Sequence, residues 1–394
     1  MAVKCITDFD LSNKRVFFRL DFNVPLDTKQ AIKDDTRIIR ALPTIKYAIE
    51  QRGRLILCSH LGRPKGQFRI ELSLKPVAER LSKLLDQDVK FAGDCVGAEV
   101  LSVVNNLHSG EIVLLENVRF HPEETVNDPE FSAKLAELAD VYINDAFGTA
   151  HRAHCSTVGI ARLVKEKGAG LLMKEELESL GKAFSNPKKP VVGIIGGAKV
   201  SDKINVLKNI ATKMDVLLIG GGMANTFLKA KGLDMGTSLV ENDMAHTAKE
   251  IMKIAASQKR LFCLPNDVVV APDIDKGAEA RITDVDRIGR QEMALDIGPV
   301  TIQEFSDHIR KAATIVWNGP MGVFEKDAFK KGTVEIARAV AGSEAFSVIG
   351  GGDSVRAVVQ AGVSDQISYI STGGGAFMEF LEGKILPGVA ALES

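Results

Sequence analysis

The chain has 394 residues, of which 45% are hydrophobic and 26% charged, a composition typical of globular proteins. This length predicts two domains rather than one continuous core. A net charge of −1 argues against a general binder of nucleic acid or membrane surfaces. No apolar run approaches the roughly 18 residues that a membrane span needs, and charge appears too early for a signal peptide.

The five cysteines are odd in number and show neither metal-binding nor redox spacing. We interpret them as free thiols in a reducing compartment, which predicts a cytoplasmic protein.

The first half alternates apolar runs with helical patterns, which is typical of a parallel sheet covered by helices. The predicted strands are Val16–Phe22, Leu55–Ser59, Ile112–Leu115 and Val141–Asn144. The predicted helices are Thr36–Gln51, Leu74–Leu85 and Pro129–Leu138.

The second half repeats this alternation, so the predicted fold is α/β with two lobes. Each lobe is a mostly parallel sheet with helices on both faces, Rossmann-like, and a helix joins the two. The predicted strands are Val191–Ile195, Val216–Ile219, Leu261–Leu264, Ile315–Trp317, Ser347–Ile349 and Ser368–Ile370.

The domain boundary is predicted at a continuous helical pattern, Leu171–Phe184, which ends before a Pro-rich turn. We predict a first domain over residues 1–170, a connecting helix and hinge over 171–189, and a second domain over 190–378. Residues 379–394 form a terminal segment that could return to the first domain.

Basic and polar side chains follow the strands of the first half, at the sheet edge where ligands of parallel sheets bind. Arginine forks there predict a pocket for a small, multiply charged anion, although single members could pair with acidic neighbours instead. The histidine spacing does not match a metal site. The basic and polar residues that follow the strands of the first half are Asp21, Asn23, Arg37, His60, Arg63, Arg119, His121, His151, Arg152 and His154.

Glycines occupy the corresponding positions of the second half, in the clusters Gly196–Gly197, Gly220–Gly222, Gly350–Gly352 and Gly373–Gly375. Several such clusters on one sheet predict close backbone approach to a ligand with phosphates and a flat ring. The stretch Pro190–Lys203 combines a strand, a glycine pair, two lysines and a helix expected to begin near Ser201. Asp353 is a predicted magnesium ligand. Glu325 could accept from ribose hydroxyls or could be a surface residue.

Eight segments in order along the chain resemble phosphoglycerate kinase of the bacterial type. They are Arg19–Pro25, Ser59–Pro64, Leu115–Phe120, Asn144–Arg152, Gly196–Lys203, Asn318–Glu325, Gly350–Ser354 and Ser371–Gly375. One segment departs from the family pattern, because Ala294 stands where the family has a glycine against the adenine.

The resemblance implies reversible phosphoryl transfer between ATP and the carboxylate of 3-phosphoglycerate, giving 1,3-bisphosphoglycerate and ADP, by in-line transfer in a closed two-lobe site. It also implies Mg²⁺, a monomer, and no nucleic-acid or membrane partner. The implied substrate-binding residues are Asp21, Asn23, Arg37, His60, Arg63, Arg119 and Arg152. The implied nucleotide-binding residues are Gly197, Lys203, Gly221, Asn318, Glu325, Gly351, Gly352, Asp353 and Ser354. Asp353 would meet the metal ion, and Arg37, Lys199, Gly373 and Gly374 would be catalytic.

Two other functions remain open from the residues alone. A two-lobed binding protein could close on an anion without chemistry, and a different nucleotide-dependent enzyme could act on another carboxylate or phosphate. Turnover of ATP with 3-phosphoglycerate separates the three hypotheses.

Overall fold

The computed structural model describes residues 3–393 and divides the chain into two compact units. The first unit is formed by the residues up to Leu177 together with those from Ile385 onward. The second unit is Glu178–Lys384. The division falls inside the helical stretch that the sequence pattern predicts, Leu171–Phe184.

The first unit contains a six-stranded sheet in the order β3-β4-β2-β1-β5-β6, and every pairing in it is parallel. Its strands are β1 (Arg15–Arg19), β2 (Arg54–Cys58), β3 (Val89–Phe91), β4 (Ile112–Leu114), β5 (Val141–Asn144) and β6 (Glu166–Ala169). The helices in this part of the chain are α1 (Thr36–Glu50), α2 (Lys75–Leu85), α3 (Ala98–Asn105), α4 (Glu123–Val126), α5 (Pro129–Ala136), α6 (Ile160–Leu163) and α7 (Leu171–Phe184).

The second unit contains another six-stranded parallel sheet, in the order β15-β14-β13-β7-β8-β9. Beside it lies a small antiparallel sheet in the order β11-β10-β12. The strands are β7 (Val191–Ile195), β8 (Val216–Ile219), β9 (Leu261–Cys263), β10 (Asp267–Ala271), β11 (Arg281–Asp284), β12 (Met293–Ile297), β13 (Thr314–Asn318), β14 (Phe346–Ile349) and β15 (Tyr369–Ile370). The helices are α8 (Ile204–Lys213), α9 (Gly221–Ala230), α10 (Ala245–Ser257), α11 (Pro299–Arg310), α12 (Lys331–Ala341), α13 (Gly352–Ala361) and α14 (Gly374–Leu381).

The predicted two-lobe α/β fold is confirmed, and both large sheets are parallel throughout rather than mostly so. The first strand is shorter than predicted, because beyond Arg19 the backbone N–H of Phe22 donates to the Ser59 hydroxyl (2.8 Å) instead of extending a strand ladder. Two edge strands of the first sheet and the antiparallel sheet were not predicted. The edge strand β6, for example, reads Glu-Lys-Gly-Ala and carries no apolar run.

Apolar side chains from strands and helices pack within each unit. In the first unit Phe18, Leu57 and Ile143 are fully buried with Ile45 of α1. In the second unit the buried Trp317 of β13 packs in a cluster with Phe305 and Ile336. Its indole N–H donates to the carbonyl of Gly319 (2.7 Å), which satisfies the polar end of a large buried ring.

The C-terminal residues form α15 (Pro387–Glu393), which belongs to the first unit. The N–H of Gly388 donates to the carbonyl of Ala150 (2.8 Å), and Leu392 is buried. The terminal segment rejoins the first unit at residue 385, whereas the sequence analysis placed the start of this segment at 379. Residues before 385 still belong to the second unit, where the Leu381 carbonyl accepts a hydrogen bond from Asn209 of α8 (2.7 Å).

Among the described residues, no helix has both the length and the apolar character required to cross a membrane.

Candidate active site

Cationic side chains gather at the carboxyl-end edge of the first sheet. They follow different strands, and a parallel sheet brings the ends of all its strands to one edge. Arg37 lies in the first turn of α1, His60 directly follows the loop residue after β2, and Arg152 lies beyond β5. The charges of Arg37, Arg119 and Arg152 all act on His60, so the structure does bring these predicted residues together.

His60 is buried, and a second buried residue, Arg19, holds its ring. Nη2 of Arg19 lies 3.1 Å from Nδ1 of His60. Because a guanidinium only donates, Nδ1 accepts and the proton of the neutral ring is on Nε2. Burial, followed by the charge of Arg19, holds the pKa of His60 well below its usual value. His60 is therefore neutral within a cationic cluster.

Arg19 is a functional neighbour that the sequence analysis did not assign to the site. Its Nε donates to the Ser156 hydroxyl (2.8 Å), and its Nη1 donates to the carbonyl of Leu20. The sequence feature that could have identified Arg19 is its position at the end of an apolar strand, because a charged side chain buried there requires polar partners.

Arg119 differs from the other cations of the cluster because its unbonded nitrogens are buried. Its Nη1 donates to the Gly62 carbonyl (3.0 Å), while Nε and Nη2 are buried and have no hydrogen-bond partner among the described residues. Burial, then the nearby Arg19 and Arg152, lowers the pKa of Arg119 to about 10. Two buried guanidinium nitrogens without acceptors favour a bound anion, because leaving their N–H groups unpaired is costly.

Asp21, Asn23 and Arg37 form the polar side of the same edge. Nη1 of Arg37 lies 2.6 Å from an Asp21 oxygen. Oδ1 of Asn23 accepts from the backbone N–H of Gly62 (2.8 Å), which fixes the loop that carries Arg63. The Arg63 side chain is exposed.

Three histidines that follow the strands differ in their surroundings. Nε2 of His121 lies 2.6 Å from Asp94, and Nδ1 of His154 lies 3.6 Å from Glu124. His151 contacts a predicted site residue, since its Nε2 accepts a hydrogen bond from Nε of Arg152 (3.1 Å).

In the second unit, the glycine pair after β7 makes room for a backbone loop. A Cβ on Gly196 would lie 1.9 Å from the Pro320 carbonyl oxygen, so only glycine fits. Ser201–Lys203 form a 3-10 turn that continues directly into α8 at Ile204, so helical structure begins near Ser201 as the sequence predicts. The glycine pair borders the loop between β7 and this turn, which is the arrangement the sequence predicts.

Lys203 reaches back over this loop. Its ammonium donates to the carbonyls of Gly196 (2.7 Å) and Asn318 (3.2 Å). Burial lowers the pKa of Lys203 to about 8, although the charges of Asp353 and Asp202 oppose this shift. A partly desolvated ammonium beside glycine N–H groups is suited to a phosphate.

The other three glycine clusters do begin helices. α9 begins at Gly221, α13 at Gly352 and α14 at Gly374. The N-terminal N–H groups of each helix lack partners within the helix and can bind an anion. Gly351 has φ of 95°, and a Cβ there would lie 2.5 Å from the amide nitrogen of Asn318. Asn318 in turn donates to the Gly350 carbonyl (2.7 Å), and Ser354 accepts from the N–H of Gly319 (2.6 Å).

A cavity of about 410 Å³ lies within this unit, and Gly197, Gly221, Glu325 and Asp353 line it. Its apolar lining includes Leu239, Ile274, Val323 and Ala294, the residue that departs from the family pattern. A largely apolar lining with a few polar groups is typical of sites for small molecules.

Arg356 is a further residue of this cavity region that the sequence analysis missed. Its Nη2 lies 2.7 Å from Asp353 and 3.3 Å from Glu325, and its guanidinium lies 5.2 Å from the centre of the Phe324 ring. The sequence feature that could have identified Arg356 is its spacing of three residues from Asp353 on α13, which places the two side chains next to each other. A metal ion at Asp353 has to compete with this guanidinium.

Comparison with known proteins decides between the functions left open by the sequence. The sequence model of the phosphoglycerate kinase family matches residues 6–384. The chain belongs to the phosphoglycerate kinase family. The phosphoglycerate kinase of Koribacter versatilis is 56% identical, over 100% of this chain and 99% of that protein. That of Moorella thermoacetica is 54% identical over the same shares.

Solved phosphoglycerate kinases have the same fold. The structure from Coxiella burnetii superposes with a TM-score of 0.94 at 45% identity, covering 100% of this chain and 99% of that chain. The structure from Pyrococcus horikoshii gives a TM-score of 0.83 at 36% identity, covering 98% of both chains. As a phosphoglycerate kinase, the protein is a phosphotransferase that transfers a phosphoryl group between ATP and 3-phosphoglycerate in glycolysis.

Proposed function

We propose that the first unit binds 3-phosphoglycerate and the second unit binds the nucleotide. The proposed substrate residues are Asp21, Asn23, Arg37, His60, Arg63, Arg119 and Arg152. The proposed nucleotide residues are Gly197, Lys203, Gly221, Asn318, Glu325, Gly351, Gly352, Asp353 and Ser354. The single observation that carries the substrate assignment is Arg119, whose Nε and Nη2 are buried without a hydrogen-bond partner among residues 3–393.

The charge balance of the first unit supports an anionic substrate with more than one charged group. His60 is neutral, so it can hydrogen-bond without adding repulsion between the arginines. Asp21 is the carboxylate that contacts Arg37, and it offers acceptors to substrate hydroxyls. Arg119 is suited to the phosphate, because its unbonded Nε and Nη2 can donate to it as a fork.

The chemistry requires no general base, because a substrate carboxylate is ionised at neutral pH. What remains is to align two anions and to balance charge on the transferred group. We assign that role to Arg37, Lys199, Gly373 and Gly374. Lys199 is exposed on the loop after β7, and a Cβ at Gly374 would meet no atom within 4 Å, so the start of α14 is open to a ligand.

Magnesium is part of this proposal, and the donor set fits it. Mg²⁺ commonly binds one or two carboxylates together with substrate phosphates, and Asp353 is an exposed carboxylate at the start of α13. When bound there it would neutralise phosphate charge.

We further propose that the protein acts in the cytoplasm as a monomer. The cytoplasmic assignment is supported by five buried, free cysteines, which suit a reducing compartment.

Steady-state kinetics test the residue assignments by comparing three arginines. We expect Arg119→Lys to raise KM for 3-phosphoglycerate and to leave KM for ATP nearly unchanged, because it binds the fixed phosphate equally in ground and transition states. We expect Arg37→Ala to lower kcat by about a hundred- to thousandfold, as for other donors that meet developing charge.

Arg80 provides the matched control. Its Nη2 lies 2.7 Å from Asp35 in an ion pair of similar exposure to that of Arg37 and Asp21, and Arg80→Ala should leave both constants unchanged. A normal kcat for Arg37→Ala with only a raised KM would make Arg37 a substrate clamp. A change in KM for ATP alone in Arg119→Lys would contradict the substrate assignment.

A further inference from the structure

A cluster of potential metal ligands lies on the second unit, among residues that play no part in the proposed kinase site. It consists of Cys263 at the end of β9 and of Glu304 and His308 on α11. The thiol sulfur, one carboxylate oxygen and one imidazole nitrogen all lie within 4.8 Å of one another. None of the three residues lines the 410 Å³ cavity.

The local sequence explains why these side chains meet. Glu304 and His308 are four residues apart, so they share one face of α11. The adjacent residues Phe305 and Ile309 are fully buried in the same apolar cluster as Cys263. Packing of α11 therefore places its Glu–His pair above the buried sulfur.

Other contacts orient these ligands and leave coordinating atoms available. Asn266 donates from its amide nitrogen to Oε2 of Glu304, which holds the carboxylate in place. The His308 imidazole makes no hydrogen bond within residues 3–393. Cys263 is 6% exposed, whereas Glu304 and His308 are half-buried, so an ion could enter from the solvent side of the helix.

We propose that Cys263, Glu304 and His308 bind one Zn²⁺ ion, with water as the fourth ligand. One thiolate, one carboxylate and one neutral imidazole form a donor set that suits tetrahedral zinc. The two anionic ligands balance the charge of the ion. On binding, the Cys263 S–H bond breaks, the sulfur keeps the electron pair as a ligand, and the proton passes to solvent.

The metal has to overcome the stability of the protonated thiol. Burial, and then the charge of Glu304, raises the pKa of Cys263 to about 12. A divalent cation between the sulfur and the carboxylate removes the repulsion that contributes to this shift.

A second cluster, Asp94–Cys95–His121, satisfies the same distance limit but its polar atoms are already engaged. Cys95 donates its S–H to the Glu116 carbonyl (2.9 Å), and the His121 ring nitrogen lies 2.6 Å from Asp94. The His121 ring also stacks on Phe131, with ring centres 4.7 Å apart. Asp94–Cys95–His121 is therefore a control for metal binding at Cys263, Glu304 and His308.

The proposed ion would tie α11 to β9 and stabilise the second unit. Cobalt is a suitable probe, because a bound thiolate gives Co²⁺ an absorption band in the near ultraviolet. We expect one equivalent of Co²⁺ per metal-free chain to produce this band. Added Zn²⁺ should displace the Co²⁺ and abolish the band. Zn²⁺ should also raise the melting temperature, since it binds the folded state preferentially.

Substitutions of Cys263 and His308 test whether these residues are the ligands that produce the Co²⁺ absorption band. Cys263→Ser should abolish it, and His308→Gln should weaken Co²⁺ binding at least about tenfold, since even residues that only orient ligands contribute 10- to 100-fold. Both variants should retain kinase turnover with MgATP, which shows that they are folded. His308→Gln keeps the test valid if the buried cysteine substitution fails to fold.

Two controls separate this site from adventitious binding. His246→Gln removes an exposed His–Glu pair at the same i,i+4 spacing but without a thiol, and it should bind Co²⁺ as the parent protein does. Cys95→Ser should also retain the band. Absence of the band, its persistence in Cys263→Ser, or its loss in Cys95→Ser would overturn the proposal.

Discussion

At the residue scale, Lys203 shows how burial prepares a side chain for an anion. Its ammonium is held by two backbone carbonyls, and its pKa is lowered to about 8, chiefly by burial. Nucleotide phosphates near Lys203 would raise that pKa. Binding should therefore take up a proton above about pH 8, and nucleotide affinity should fall as pH rises above about 8.

Calorimetry of ADP binding in buffers with different ionisation enthalpies measures this proton uptake. Lys203→Arg is the matched control, because arginine stays protonated throughout this range and removes the linkage. Equal proton uptake by the parent protein and the variant would show that another group is responsible.

At the scale of one element, α7 depends on a cap that leaves no space for a side chain at Gly170. The N–H of Met173 donates to Oδ1 of the buried Asp145 (2.9 Å), and the N–H of Leu171 donates to the Thr44 hydroxyl (3.0 Å). A Cβ on Gly170 would lie 2.3 Å from the Asp145 carboxyl. We expect Gly170→Ala to cost about 1–3 kcal/mol, because it displaces this cap.

Gly181 in the same helix provides a control for glycine replacement as such. A Cβ there would meet no atom within 4 Å, so Gly181→Ala should stabilise the protein by about 0.5–1 kcal/mol. Urea unfolding of the two variants measures the contrast. Two changes of the same sign would contradict the capping explanation.

At the scale of the whole molecule, the chain returns to the first unit in its last described helix. The terminal helix α15 contacts β6 and α6, and its Leu392 side chain is 5% exposed. We expect Leu392→Ala to lower the free energy of unfolding by about 2–5 kcal/mol, as for other buried leucines. Amide exchange should become faster at β6 and α6 but not in the second unit.

Ile385 lies just before this helix and is 83% exposed, so Ile385→Ala should change stability by less than about 0.5 kcal/mol. Faster exchange spread equally over both units in Leu392→Ala would mean that the tail does not stabilise the first unit specifically.

Local sequence determined the parts of this protein that depend on periodicity and on turn chemistry. The interior strands and the helices α1, α2 and α7 are readable because apolar residues recur at the period of each element, and α7 begins and ends at the predicted residues. Glycines after strands likewise indicated where α9, α13 and α14 begin.

Tertiary structure alone decided the rest, because those features depend on distant partners. The edge strand β6 exists through its pairing with β5, not through its own composition. The ring of His60 is kept neutral by burial and then by the charge of Arg19, which is 41 residues earlier in the chain. The Cys263 sulfur meets Glu304 and His308 only because α11 packs beside β9. No local pattern encodes burial of this kind, and burial is what sets the protonation of these groups.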